Sequence, residues 1–321
     1  MTTGNKWMEE ELEPGLRVQY RLQDILHSGK SEFQTVDLVN IEPFGTTLVI
    51  DGLIQSTNSD EFVYHECLVH PAMLSHPNPK FVFIGGGGEG GTAREVLRHK
   101  SVEKCVMVDI DGDVVKFCRE HLPQNKEAFA DPRLELIIDD AKVRLEQSPI
   151  KFDVIIMDLD DPLEGGPCYQ LYTKEFYTTI QSKLNPGGVM VTQSGQAGIK
   201  QHPVVFSPIN STLRSVFPRV VPYNQAVYSF MDEWGWNLAL TDADAVSPDK
   251  MSQSDVDARI AERLTGELRF LDGQSWAGIW ALSKVHRQTL AKETVVMSTT
   301  GNTHCFMHNP GVKTGGGAQS G

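Results

Sequence analysis

Four carboxylates crowd into a short stretch at Asp158, Asp160, Asp161 and Glu164, directly after the apolar run Val154-Ile155-Ile156-Met157. Like charges this close raise one another's pKa unless cations neutralise them. Ammonium groups strung along an aliphatic chain supply such cations, so the cluster points to a polyamine. The chemistry open to it is proton abstraction. An amine near neutral pH is mostly protonated, and only its free base attacks carbon. One carboxylate must therefore accept a proton while the others hold the remaining ammonium groups. Pro162 ends the strand and biases Asp161 toward an extended backbone. A solvated acidic turn is the plainer reading of the same residues. A metal site is a further alternative, but no histidine accompanies these acids.

A second grouping lies upstream. Gly85, Gly87 and Gly90, within the run Gly85-Gly86-Gly87-Gly88-Glu89-Gly90-Gly91, satisfy G-x-G-x-x-G between an apolar run and a helix-like stretch. Asp109 ends the next apolar run, where an acid bonds ribose hydroxyls. Asp139-Asp140-Ala141 ends the third, where an Asp accepts from the exocyclic amine of an adenine. Each acid taken singly reads equally well as a loop or helix cap. Three at the carboxyl ends of successive strands predict a nucleoside site. A dehydrogenase would use the same frame to hold a pyrophosphate, but Glu89 argues against that, because unless it pointed away it would repel the phosphate oxygens. It suits a cation, and S-adenosylmethionine and its decarboxylated form carry a sulfonium and an ammonium but no phosphate. Displacement at a carbon beside a sulfonium has a good leaving group, so positioning supplies most of the acceleration.

These groups need a frame. Residues from about Gly15 to Thr57 read as β structure. Val18, Tyr20 and Leu22 alternate with polar residues, Ser28-Gly29-Lys30 is a turn signal, Phe33 to Val39 alternates again, and Asp51-Gly52 interrupts Thr47 to Ile54. A helix is expected from Asp60 to Leu74, bounded by Pro77 and Pro79. Phe81–Ile84, Cys105–Ile110, Leu134–Ile138, Val154–Met157 and Val189–Val191 then read as buried strands. Helices are expected over Thr92–His99, Asp113–His121 and from a cap at Thr173 to about Leu184. Strands alternating with helices mean a doubly wound α/β sheet. The expected division is residues 1–76 for a small N-terminal β domain with its linking helix, 77–300 for the catalytic domain, and 301–321 for a disordered tail. Ser254–Gly266 and Leu282–Glu293 read as exposed helices. His304, Cys305 and His308 sit close together but lack an evident fourth ligand.

Composition narrows the class. The formal net charge of −13 and pI near 5.2 leave no basic face for nucleic acid and favour cationic ligands. No apolar run approaches the roughly 18–20 residues of a membrane span, and the polar start from Met1 to Glu13 is not a signal peptide. Five scattered cysteines without Cys-x-x-Cys argue against disulfides and zinc and fit a reducing compartment, the cytosol. Cys105 is expected in the core.

The glycine run, Asp109-Ile110-Asp111 and Asp158 to Pro162 together resemble the spermidine and spermine synthase family. Asp60-Glu61-Phe62-Val63-Tyr64-His65-Glu66 and Tyr172-Thr173-Lys174-Glu175-Phe176-Tyr177 add to the resemblance, which covers roughly Val18 to Gly235. It implies a Rossmann-like, methyltransferase-type sheet behind a small β domain, and an aminopropyltransferase using decarboxylated S-adenosylmethionine as co-substrate, with no permanently bound cofactor. Asp158 is then the proton acceptor. Gln23, Asp109 and Asp140 hold the nucleoside, with Ile110 and Ala141 beside it and Gly85, Gly87 and Gly90 beneath. Glu89 and Asp158 hold the donor's amino group. Gln55, Tyr64, His65, Asp161 and Glu233 line the polyamine channel. No metal is implied, and a homodimer or homotetramer is. Gly165-Gly166-Pro167-Cys168-Tyr169-Gln170-Leu171-Tyr172, Glu89, Asp109 and Asp232-Glu233-Trp234-Gly235-Trp236 are similar to the plant and algal thermospermine synthase branch, which implies spermidine as acceptor. His65 replaces a glutamine common in spermidine synthases, and taken alone it reads as a buried structural histidine. Ser229 falls where many of them carry a tyrosine that assists the base, and its neighbour Tyr228 is a candidate substitute. Glu89 also repels the carboxylate of intact S-adenosylmethionine.

Two other functions compete. A methyltransferase acting with intact S-adenosylmethionine would use the same frame, and Asp158 to Pro162 faintly resembles an amino-methylating motif. A polyamine-binding protein without turnover would need the cations' partners but no base at Asp158.

Overall fold

The computed structural model describes residues 6–162 and 168–300. Glu164, the Gly165-Gly166-Pro167 segment and the tail with His304, Cys305 and His308 lie outside the described residues. The chain opens with an antiparallel five-stranded meander, β1 (Lys6–Glu13), β2 (Leu16–Lys30), β3 (Thr35–Ile41), β4 (Gly45–Ile50) and β5 (Leu53–Thr57). β1 did not register as a strand because it is rich in acids. Its charges are matched across the pair, where Glu9 and Glu11 both meet Arg17. The buried carboxylate of Glu10 accepts from Tyr20 at 2.9 Å and from the Ile54 amide at 2.9 Å. The expected turn at Ser28-Gly29-Lys30 is wrong, because β2 runs straight through it. The chain reverses at Ser31 to Gln34, where the Ser31 hydroxyl accepts from the Phe33 and Gln34 amides. Asp51 and Gly52, both at positive φ, make the β4–β5 turn.

α1 (Glu61–Ser75) follows, buried on nearly all sides, with Pro71 inside it. Proline has no N–H, so the carbonyl of Cys67 loses its helical partner. The Tyr223 hydroxyl donates to that carbonyl at 2.8 Å.

The second sheet has seven strands in the order β11-β12-β10-β9-β6-β7-β8. β6 (Phe81–Gly86), β7 (Lys104–Asp109), β8 (Leu134–Ile138), β9 (Phe152–Asp158) and β10 (Leu184–Gln196) are parallel. α2 (Gly91–Leu97), α3 (Gly112–His121), α4 (Lys126–Ala130), α5 (Ala141–Gln147) and α6 (Lys174–Lys183) wind around them, with Thr173 capping α6 as expected. α7 (Phe206–Arg214) leads to β11 (Arg219–Val227) and β12 (Asp232–Leu240), which join antiparallel at one edge. α8 (Gln253–Arg263), α9 (Gly273–Ile279) and α10 (Lys284–Lys292) complete the described chain.

The alternation of the strands divides the core. Val154 and Ile156 face one apolar layer with α1 and α2, while Ile155 and Met157 face another with α5, α6 and α7. Cys105 is fully buried, as expected. The two sheets meet at Asp111. It caps α3 and accepts from Ser31 at 2.5 Å and Gln34 at 3.0 Å in the β2–β3 turn.

Candidate active site

The carboxyl ends of β6, β7, β8 and β9 converge on one edge, which is where parallel sheets present ligand-binding loops. The glycine run turns at Gly86, with φ 83°. A Cβ there would sit 2.0 Å from the Asp158 carbonyl oxygen, so only glycine lets the two loops touch. The next amide, Gly87, donates to that carbonyl at 3.1 Å. Backbone contact thus fixes Asp158 against the glycine loop.

The Asp158 carboxylate is held from both sides. Oδ1 accepts from the Tyr64 hydroxyl at 2.6 Å and Oδ2 from the Thr92 hydroxyl at 2.5 Å. Burial raises its pKa, and the charge of His65 and these two hydrogen bonds only partly offset that. Burial thus leaves this carboxylate more basic than an exposed aspartate.

Beside it runs a buried chain of charge. His65, 2% exposed, has Nδ1 at 2.7 Å from Glu61 Oε2 and Nε2 at 2.9 Å from Glu89 Oε1. The Arg94 guanidinium forks onto both Glu61 oxygens at 2.9 and 2.8 Å and reaches Glu95 through Nε at 2.9 Å. Burial opposes ionisation of Glu61, but His65 and Arg94 bring its carboxyl down to about 2. Burial likewise opposes charge on His65, and its two carboxylate partners outweigh it and raise the pKa well above the usual histidine range. Glu61, His65 and Glu89 have ligand atoms within 4.8 Å of one another. Because both Glu61 oxygens are already occupied by Arg94, the grouping is an ion-pair chain rather than a vacant metal centre. Gly91 packs flat on it, since a Cβ there would meet the imidazole at 2.5 Å.

Asp109 accepts from the Gly88 amide and from the Asp111 amide, both at 2.8 Å. Burial pushes its pKa up to about 6 despite these donors. Asp160 is exposed at its surface, although protein crowds around it on its other sides. That environment, with the charges of Asp109, Asp161, Asp51 and Asp158, pushes it up to about 7. Asp51 belongs to the β4–β5 turn, so the N-terminal sheet adds its charge to that of the acidic loop. Asp161 is held by Gln193 Nε2 at 3.1 Å.

The other expected site residues are placed less centrally. Asp140 is exposed and caps α5, accepting from the Lys142 amide at 2.7 Å. Ile110 is 39% exposed at the end of β7, and Ala141 is buried against Gly85. Gln23 is exposed at a bulge in β2, and Gln55 is half-buried in β5. Glu233 turns away from the acidic loop, toward Asn224 at 2.7 Å and His286 at 3.9 Å. Tyr228 is 72% exposed, edge-on to Phe44, so it is Tyr64 that places its phenol on Asp158. The Ser229 amide donates to Asp60 instead.

Thr92, Glu61, Arg94, Tyr172 and Gln193 have no role in the reading from sequence. The Glu61–His65 spacing of four residues on a helix was a usable signal. Gln193 carried none. Its amide nitrogen donates to the Leu159 carbonyl at 2.5 Å and to Tyr172 at 2.7 Å as well as to Asp161, while its oxygen accepts from Gly195 and Trp234. Tyr172 in turn donates to the Asp160 carbonyl at 3.1 Å.

The chain that carries this arrangement has counterparts among known proteins. Residues 61–250 match the spermine/spermidine synthase domain, and residues 6–58 match the spermidine synthase tetramerisation domain. The chain belongs to the spermine/spermidine synthase family. It is 49% identical over 307 residues to a thermospermine synthase, ACAULIS5, of Arabidopsis thaliana, covering 95% of this chain and 88% of that one. It is 43% identical over 291 residues to a polyamine aminopropyltransferase of Aeropyrum pernix, covering 89% and 91%. A solved spermidine synthase in complex with the transition-state analogue AdoDATO superposes with a TM-score of 0.80 at 29% identity, over 91% of this chain and 98% of that one. The spermidine synthase of Thermotoga maritima gives 0.80 at 28% identity, over 91% and 97%. The chain is a polyamine aminopropyltransferase by family, and the co-substrate of that family is decarboxylated S-adenosylmethionine. Among the described residues no helix is long and apolar enough to cross a membrane.

Proposed function

We propose that the protein transfers the aminopropyl group of decarboxylated S-adenosylmethionine to spermidine, giving thermospermine and methylthioadenosine. The observation that carries the chemistry is Asp158 between Tyr64 and Thr92 at the junction of the glycine and acidic loops. Asp158 takes a proton from the acceptor's ammonium. The freed nitrogen attacks the methylene carbon next to the sulfonium, the C–S bond breaks toward sulfur, and methylthioadenosine leaves. Glu89 and Asp158 hold the donor's ammonium, and Asp109 accepts from the ribose, with Gln23, Asp140, Ile110 and Ala141 around the nucleoside. Tyr64, His65, Gln55 and Asp161 line the acceptor channel. The choice of spermidine rests on the 49% identity to a thermospermine synthase. The match of residues 6–58 supports a homotetramer, and the free thiols of Cys67, Cys105 and Cys118 fit the cytosol.

The test is to supply decarboxylated donor with putrescine or spermidine and separate the products. Methylthioadenosine and thermospermine from spermidine are expected. No methylthioadenosine with either acceptor would overturn the transferase reading for this chain, and spermine as product would overturn only the acceptor regiochemistry.

A further inference from the structure

Both ring nitrogens of His65 face oxygen atoms that only accept. Nδ1 meets the Glu61 carboxylate at 2.7 Å and the Glu61 carbonyl at 2.8 Å, and Nε2 meets Glu89 at 2.9 Å. A neutral imidazole has one N–H and serves one of them, whereas an imidazolium serves both. The imidazolium is therefore already a cation on Glu89, the carboxylate to which the functional reading assigns the donor's ammonium.

We propose that the His65 imidazolium stands in for a substrate ammonium at Glu89, and that the donor's arrival drives the Nε2 proton off His65 into solvent. The inference rests on that functional reading. Only the Nε2–H bond breaks, and the proton passes to buffer. Nδ1–H stays on Glu61, which Arg94 keeps anionic from α2. The bared Nε2 then accepts a hydrogen bond from the incoming ammonium, so one atom changes from donor to acceptor as the channel fills. Two cations do not have to share one buried carboxylate, and the site is never left with its acids unneutralised. The groups facing the imidazole are Glu61 and Tyr64 from α1, Glu89 from the glycine loop and Asp158 from the end of β9, with Arg94 behind Glu61. Of these, Asp158, raised by burial, is the rival source of a proton.

Calorimetry at pH 8 in two buffers of different ionisation enthalpy counts the protons. Decarboxylated donor is titrated into the full-length protein without acceptor, and methylthioadenosine, which has no ammonium, serves as the comparison. The wild type should release about one proton per donor bound, and donor Kd should fall up to about tenfold per pH unit as pH rises. Methylthioadenosine should release almost none. His65→Gln should bind donor with no proton release and a flat pH dependence. Heat of binding without proton release in the wild type would overturn the inference, as would undiminished release in His65→Gln, which would assign the proton to Asp158. An absence of any donor binding would overturn the functional reading itself, and the inference with it. The wild-type contrast between donor and methylthioadenosine stands even where the variant fails to fold.

Discussion

Tyr64 and Asp158 lie 94 positions apart in the chain, and the phenol of one donates to the carboxylate of the other at 2.6 Å. The bond stabilises the anion, so it lowers the basicity of Asp158 while fixing the direction of its lone pairs. In Tyr64→Phe the Asp158 pKa should climb further. The acid limb of the kcat–pH profile should move to higher pH, and kcat/KM should fall by about ten- to a hundredfold. An unmoved acid limb would show that the phenol does not act on the base.

Asp109 sits at about 6 in the free protein because burial disfavours its charge. A raised carboxyl pKa stabilises the fold below the unfolded value of 3.8, and that contribution is lost as pH rises through 6. Binding has the opposite sign, since ribose hydroxyls donate best to the anion. The Kd for methylthioadenosine should fall as pH rises from 5 to 7 and level off above. Isothermal titration across that range checks it, and Asp109→Asn should bind weakly with no such step.

The parallel strands and the acids that end them could be read from residue types and spacing alone. The parallel strands showed as short apolar runs, and the acids at their ends placed the ligand edge. The antiparallel pair β11 and β12 did not show, because Pro222 and Gly235 interrupt the apolar pattern. β1 was hidden by Glu9, Glu10 and Glu11, whose partners lie on β2 and β5. The chain from Glu89 through His65 and Glu61 to Arg94 spans a loop and two helices, so only the short helical spacing was visible locally. Glu233 was assigned by resemblance to its segment, and strand alternation turns it to the far face.

Gln193 is 2% exposed and grips Asp161, the Leu159 carbonyl and Tyr172 with one amide nitrogen. Gln193→Leu removes the grip with little change in volume. The acceptor KM should rise about tenfold, the worth of one charge-assisted hydrogen bond. Donor Kd should stay within about twofold, because no donor-side residue leans on this amide. Steady-state kinetics beside equilibrium donor binding separates the two.

Tyr223→Phe leaves the Cys67 carbonyl buried without its donor, at a cost of about 1–3 kcal/mol. Urea unfolding should show that loss. Pro71→Ala in the same chain restores an N–H to the carbonyl, so the double variant should lose less than Tyr223→Phe alone. Additive losses would mean that the two positions are independent.

That pairing has a consequence for descent. The helix bearing Tyr64 and His65 carries a proline that the edge strand β11 makes tolerable. A lineage that discards the tyrosine first inherits a weakened helix, whereas one that discards the proline first inherits only a redundant hydroxyl. The order of substitution is therefore constrained, and positions 71 and 223 should change among relatives as a linked pair, proline leaving before tyrosine.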